Sequence, residues 1–156
     1  MPVKRLKEYL NSHNIKYVSL SHSETFTAQE IAASAHISGK ELAKTVIFKK
    51  DGKMAMAVLP ASHKINFDFL KAAAGASKVE LANEQEFKDM FPDCEIGAMP
   101  PFGNLYGMEV FVEESLVHDE EIAFNAGSHT ELIKLQYKDF SRLVKPKVVK
   151  FSSGTI

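Results

Sequence analysis

The chain of 156 residues has one cysteine and no tryptophan. Cys94 alone can form neither an internal disulfide nor a zinc cage, which excludes a secreted disulfide framework. Asp93 and Glu95 flank it and oppose thiolate formation, so Cys94 reads as a structural residue. No apolar run approaches the ~18 residues of a membrane helix. The opening Met1-Pro2-Val3-Lys4-Arg5-Leu6 lacks the apolar stretch of a secretory leader, and the cytoplasm is the expected compartment. Several catalytic signatures are also missing. There is no Gly-x-x-x-x-Gly-Lys-Ser/Thr phosphate loop, no Gly-x-Gly-x-x-Gly turn and no Gly-x-Ser-x-Gly elbow. The histidines at 13, 22, 36, 63, 118 and 129 form no His-Glu-x-x-His or His-x-His pair, so no metal and no cofactor are expected.

A net charge of −1 argues against a generic polyanion binder, yet the charge is unevenly spread. Residues 40–78 carry eight lysines against Glu41, Asp51 and Asp68, while residues 80–121 carry twelve acids against Lys88 alone. A fold that segregates these blocks would present a basic face able to meet a few phosphates. The plainer alternative is solvated surface lysine.

The length fits one domain spanning 1–156, with no repeat or linker to divide it. Val3, Leu6 and Leu10 recur at helical spacing before Asn14, and residues 16–21 alternate as a strand. Thr27-Ala28-Gln29-Glu30 has capping-box form and starts a helix to about Ala35. Lys44–Lys49 and Met54–Leu59 flank Asp51-Gly52, the pair a two-residue hairpin turn prefers. Asn66 caps a helix that Gly75 stops, and Asn83–Glu86 opens another. Strands are expected at 78–81, 105–113, 121–125 and 130–136, and a closing helix at 137–143. Strands and helices interspersed this irregularly predict a mixed α/β fold, a mixed sheet or partly closed barrel surrounded by helices. The tail from 145 to 156 either packs against a neighbour or is mobile.

Three clusters can carry chemistry. Lys44 opens the apolar strand Ala43–Phe48, where its stem can pack on the core while the ammonium enters a cleft; an ordinary edge lysine is the alternative. Gly97-Ala98-Met99-Pro100-Pro101-Phe102-Gly103 is a stiff loop that can aim main-chain groups at a ligand, or simply a rigid connector. Asn125-Ala126-Gly127-Ser128-His129-Thr130 makes a tight turn that can bring backbone close to a ligand, or serves only as a β-turn.

In this order, the three clusters resemble the YbaK/ProX family of aminoacyl-tRNA deacylases, a module also found as the editing insertion of bacterial prolyl-tRNA synthetases. The resemblance runs from about Thr25 to Leu143 and ends on Asp139-Phe140-x-x-Leu143. It implies a mixed, barrel-like sheet with surrounding helices, no metal, and hydrolysis of a small amino acid wrongly attached to tRNA, most often tRNA for proline. Lys44 takes the place of the family's characteristic lysine. Some branches carry Gly-Arg/Lys-Arg-Gly where this chain reads Gly127-Ser128-His129-Thr130, and the loop here reads Pro100-Pro101-Phe102. Those positions shape the amino-acid pocket, so no branch's substrate carries over.

The resemblance makes the chain a free-standing trans-editing enzyme. Lys44 would hold the terminal phosphate or ribose and stabilise the oxyanion. Backbone at Gly97 and Gly127 would bind the α-amino group and orient water; His129 would polarise that water, bind the ribose or merely pin its turn. Phe26, Met99 and Phe102 are the expected pocket walls, with Thr27, Thr45, Pro100, Gly103, Asn125 and Ser128 as further substrate contacts. Lys49, Lys50 and Lys53 would meet the tRNA body, and a synthetase is a conceivable further partner. Two rivals stand beside this reading: a non-catalytic tRNA-, nucleotide- or synthetase-binding module of the same fold, and a small-molecule ester or amide hydrolase.

Overall fold

The computed structural model describes residues 4–21, 42–92, 94–95 and 97–154. Helix α1 (Lys4–Ser12) buries Leu6 and Leu10. Strand β1 (Tyr17–Ser21) pairs antiparallel with β8 (Glu131–Gln136), which pairs with β7 (Glu121–Asn125) in a three-stranded sheet. A five-stranded sheet runs β5-β2-β3-β6-β9. It is formed by β2 (Ala43–Lys50), β3 (Lys53–Pro60), β5 (Val79–Leu81), β6 (Glu109–Glu113) and β9 (Lys147–Val149). β2 is antiparallel to both its neighbours, whereas β3–β6 and β6–β9 are parallel, so the sheet is mixed as expected. A parallel bridge between Leu42 and Ala123 joins the two sheets at one corner.

The hairpin turn forms as its dipeptide demands, with φ of 50° at Asp51 and 86° at Gly52. The Asp51 carboxylate also accepts the amides of Ser77 and Lys78, at 3.0 and 2.9 Å, which ties the turn to β5. Asn66 caps α2 (Phe67–Ala74) through the Phe69 amide, and Gly75 ends it at φ 64°. Asn83 and Glu86 close a reciprocal capping box on the short α3 (Glu84–Phe87). Helix α4 (Tyr137–Val144) closes as expected. The strand expected over 105–113 begins only at Glu109. Gly103 instead starts a single tight turn, with its carbonyl accepting the amides of Tyr106 and Met108, both at 2.9 Å. A Cβ on Gly103 would lie 2.6 Å from the Met108 carbonyl oxygen, so only glycine fits there.

The main core lies between the two sheets, where Ile47, Met56, Val58 and Val112 meet Phe124, Ile133, Leu135 and Phe140. A second cluster covers the outer face of the five-stranded sheet: Phe48, Ala57, Leu59 and Phe111 pack under Leu70 of α2 and Phe151. The tail belongs to this layer. β4 (His63–Ile65) pairs with β10 (Ser152–Gly154), and one oxygen of the buried Glu113 accepts the amides of both Phe151 and Ser152 at 2.8 Å. Residues 147–154 thus pair within this layer. No helix among the described residues is long and apolar enough to cross a membrane.

Candidate functional site

Side chains alternate across a strand. Phe48 and Val46 belong to the outer cluster, so Lys44 lies on that outer face too, opposite Leu59 of β3. Its half-buried position, with Lys64 of β4 nearby, holds its pKa below the ordinary lysine range; burial is the larger cause and repulsion from Lys64 the smaller. Thr45 has the opposite orientation and pairs with Val58 of the main core, so a single cleft cannot take both side chains from a regular strand.

The corner between the sheets sets what lies beside Lys44. From the Leu42–Ala123 bridge β2 and β7 run on in the same direction, which brings Asn125 abreast of Lys44. Ala123 packs with Leu42 on the outer face, so Asn125, two residues on, shares that face with Lys44. β7 then delivers the chain directly into the 125–130 turn.

That turn and the 97–103 loop are strapped together. The Gly127 amide donates to the Ala98 carbonyl at 2.8 Å, and the Gly127 carbonyl accepts the Glu95 amide at 2.8 Å. The Glu95 carboxylate accepts the His129 amide at 3.1 Å and the Ser128 hydroxyl at 3.3 Å. The Ser128 oxygen in turn accepts the Thr130 amide at 3.2 Å. Gly97 and Gly127 hold φ of 86° and 95°, a region that favours glycine. A Cβ on Gly97 would lie 3.3 Å from Cε1 of His129, so this glycine seats the imidazole.

The strapped loops bring together Gly97, Gly127, Ser128 and His129, and the strand alignment sets Lys44 abreast of Asn125, where β7 enters the turn. Phe102 is fully buried, with ring contacts to Phe124 at 5.6 Å and Phe140 at 5.5 Å; Met99 lies in the same core. Pro100 and Gly103 are buried too. These residues anchor the loop from below rather than wall a pocket from above, because the apolar groups of a Pro-rich loop find more cover in the core than in a cleft. Both main-chain groups of Gly127 already have partners, the amide in Ala98 and the carbonyl in the Glu95 amide. Phe26 and Thr27, with the helix expected to begin there, lie outside the described residues. Among the described residues no cluster could hold a metal ion.

Lys49, Lys50 and Lys53 sit at the far end of the hairpin, roughly 20 Å along β2 from Lys44. Lys49 is bound by Glu86 and lies 3.3 Å from Glu80, and the Glu86 hydrogen bond raises its pKa. Lys50 bridges to Glu109 at 3.2 Å and stands over the Phe111 ring. The basic and acidic blocks therefore interleave here instead of segregating, since β5 and β6 bring acids to either side of β2 and β3. Lys53 is exposed. A polar groove of about 520 Å³ between β1, β8 and α4 mixes Lys16, Lys134 and Lys138 with Glu121 and Asp139, and touches none of the expected residues.

Glu95, the carboxylate that joins the two loops, belongs to none of the three clusters legible in the sequence; its one signal there is its place two residues before a glycine loop, where a carboxylate can accept main-chain amides.

Fold and site together define a small mixed α/β domain with two strapped glycine loops at the end of β7 and a half-buried lysine abreast of Asn125. The chain belongs to the aminoacyl-tRNA editing domain family, whose profile matches residues 22–143. It is 30% identical over 88 residues to the proline–tRNA ligases of Bacillus mycoides (strain KBAB4) and Bacillus cereus (strain AH187), covering 56% of this chain. The match spans only 15% of either ligase. Among solved structures, a candidate trans-editing enzyme for prolyl tRNA synthetase superposes with a TM-score of 0.84 at 18% identity, covering 98% of both chains. The hypothetical protein APE2540 superposes with a TM-score of 0.83 at 21% identity, covering 95% of this chain and 99% of that one.

Proposed function

We infer that this domain hydrolyses the ester of a mischarged aminoacyl-tRNA, acting in trans on tRNA for proline that carries a small amino acid. The observation that carries the reading is a half-buried lysine on the outer sheet face, abreast of Asn125 and the glycine turn. Family membership and the fold shared with a candidate trans-editing enzyme along nearly its whole length support it. An aminoacyl ester is already activated, so positioning and modest charge stabilisation suffice. Lys44 anchors the terminal phosphate or ribose and faces the developing oxyanion, where partial exclusion of water strengthens its field. The Asn125 amide orients the aminoacyl group. The strapped loops hold His129 and the main chain rigidly around it, and the ring of His129 sits where it can touch the ribose or the attacking water.

Ester release should be measured on tRNA charged with alanine, serine, threonine, cysteine and 2-aminobutyrate. The reading expects faster release of at least one of these than of correctly charged prolyl-tRNA. Binding of tRNA without release of any ester would favour the non-catalytic module, and release of simple esters alone would favour a small-molecule hydrolase.

A further inference from the structure

Helix α2 presents an apolar stripe that the domain leaves uncovered. Leu70 points into the sheet and is fully buried, but Phe69 is 52% exposed and Phe67 39%. Phe69, Ala72 and Ala73, spaced three and four residues apart, line one shallow groove of about 410 Å³ closed on its other side by Lys150. Lys150 closes this groove and Lys64 lies just before the helix, whereas Lys71 falls on the far side of α2 from Phe69, and Asp68 is the acid of the helix. Among the described residues, none of these three lysines has a carboxylate within ion-pair distance, unlike Lys49 and Lys50. The patch lies on the helix that covers the candidate site's face of the sheet. Lys44 lies on the same outer sheet face that α2 covers, and Lys64 is close enough to repel it.

We propose that this face binds single-stranded RNA, with Phe69 as a stacking platform for a base and Lys64 and Lys150 meeting the phosphates. An exposed aromatic beside cations without an ion-pair partner among the described residues suits a flexible polyanion whose bases have apolar faces. A protein partner would gain from the apolar stripe but would have to bury two cations. The substrate segment of this chemistry is the unpaired 3′ end of a tRNA, which would run over α2 and past Lys64 to bring its terminal ester to Lys44. In this form the inference rests on the deacylase reading, though RNA binding itself does not.

The probe is a fluorescently labelled single-stranded RNA ending in C-C-A, titrated with the full chain at several salt concentrations. Phe69→Ala should weaken binding by roughly 5- to 100-fold, the range expected for one lost base stack, and Phe69→Tyr should restore it. A Lys64→Ala/Lys150→Ala double variant should flatten the plot of log affinity against log salt by about 1.4, for two lost phosphate contacts. Both sites are exposed, and circular dichroism checks that each variant folds. No binding by the wild type, or equal binding by Phe69→Ala, overturns the proposal. So does a Phe69→Ala variant that changes only self-association, which would give the patch to a second copy of the chain. Deacylation with Phe69-independent RNA binding would sink this surface and leave the enzymatic reading standing; Phe69-dependent binding without deacylation of any tRNA would do the reverse.

Discussion

Lys44 is the residue on which charge and burial act most visibly. Its folded pKa is lowered, so the charged form penalises the fold throughout the pH range below that value. The penalty fades as pH rises through the lowered pKa toward the ordinary lysine range. Lys44→Met should therefore melt at a higher temperature than wild type at neutral pH, with a gap that narrows in strongly alkaline buffer. A gap that widened there would show that the ammonium is stabilised rather than strained. Glu95 acts through what it holds. Glu95→Gln keeps the shape but weakens the bonds to the His129 amide and Ser128, and a 1 Å displacement of such a loop can cost about 10²-fold in rate. A fall in kcat with an intact thermal melt is expected, and an unchanged kcat would make the strap incidental to chemistry. Phe102→Ala removes a core ring and should cost about 3–5 kcal/mol, read from denaturant unfolding.

At the level of elements, local chemistry was legible wherever a side chain talks to its own backbone. Asp51-Gly52, Asn66 with Gly75, and the Asn83–Glu86 box all formed where the sequence placed them. What depends on distant partners was not legible. Strands β4, β9 and β10 are three residues each, too short for any periodicity, and exist because Glu113 and their neighbours satisfy their amides. Glu113→Ala would leave two buried amides without their acceptor, at a cost of roughly 2–6 kcal/mol. Amide hydrogen exchange at Phe151 and Ser152 should then quicken well beyond that of the sheet interior. Protection equal to wild type would mean that the pairing with β4 alone secures the tail.

Across the whole molecule, order in the sequence foretold which clusters meet but not which way each side chain points. Lys44 and Asn125 converge because a parallel bridge aligns Leu42 with Ala123, far apart in the chain, whereas Thr45 is turned to the core by alternation alone. Charge was misleading for a similar reason: blocks separated along the chain interleave in the sheet and neutralise Lys49 and Lys50. A Lys49/Lys50/Lys53 triple alanine variant should thus lower the salt slope of tRNA binding by no more than about 1, against the ~2.7 expected if all three met phosphates. The larger value would put the tRNA body on the hairpin. The role of Lys44 is decided by the rate of ester release by Lys44→Ala from whichever mischarged tRNA the wild type hydrolyses. With circular dichroism unchanged, release should fall to the uncatalysed rate; a correctly folded Lys44→Ala protein that deacylates as fast as wild type would show that the lysine takes no part in the chemistry.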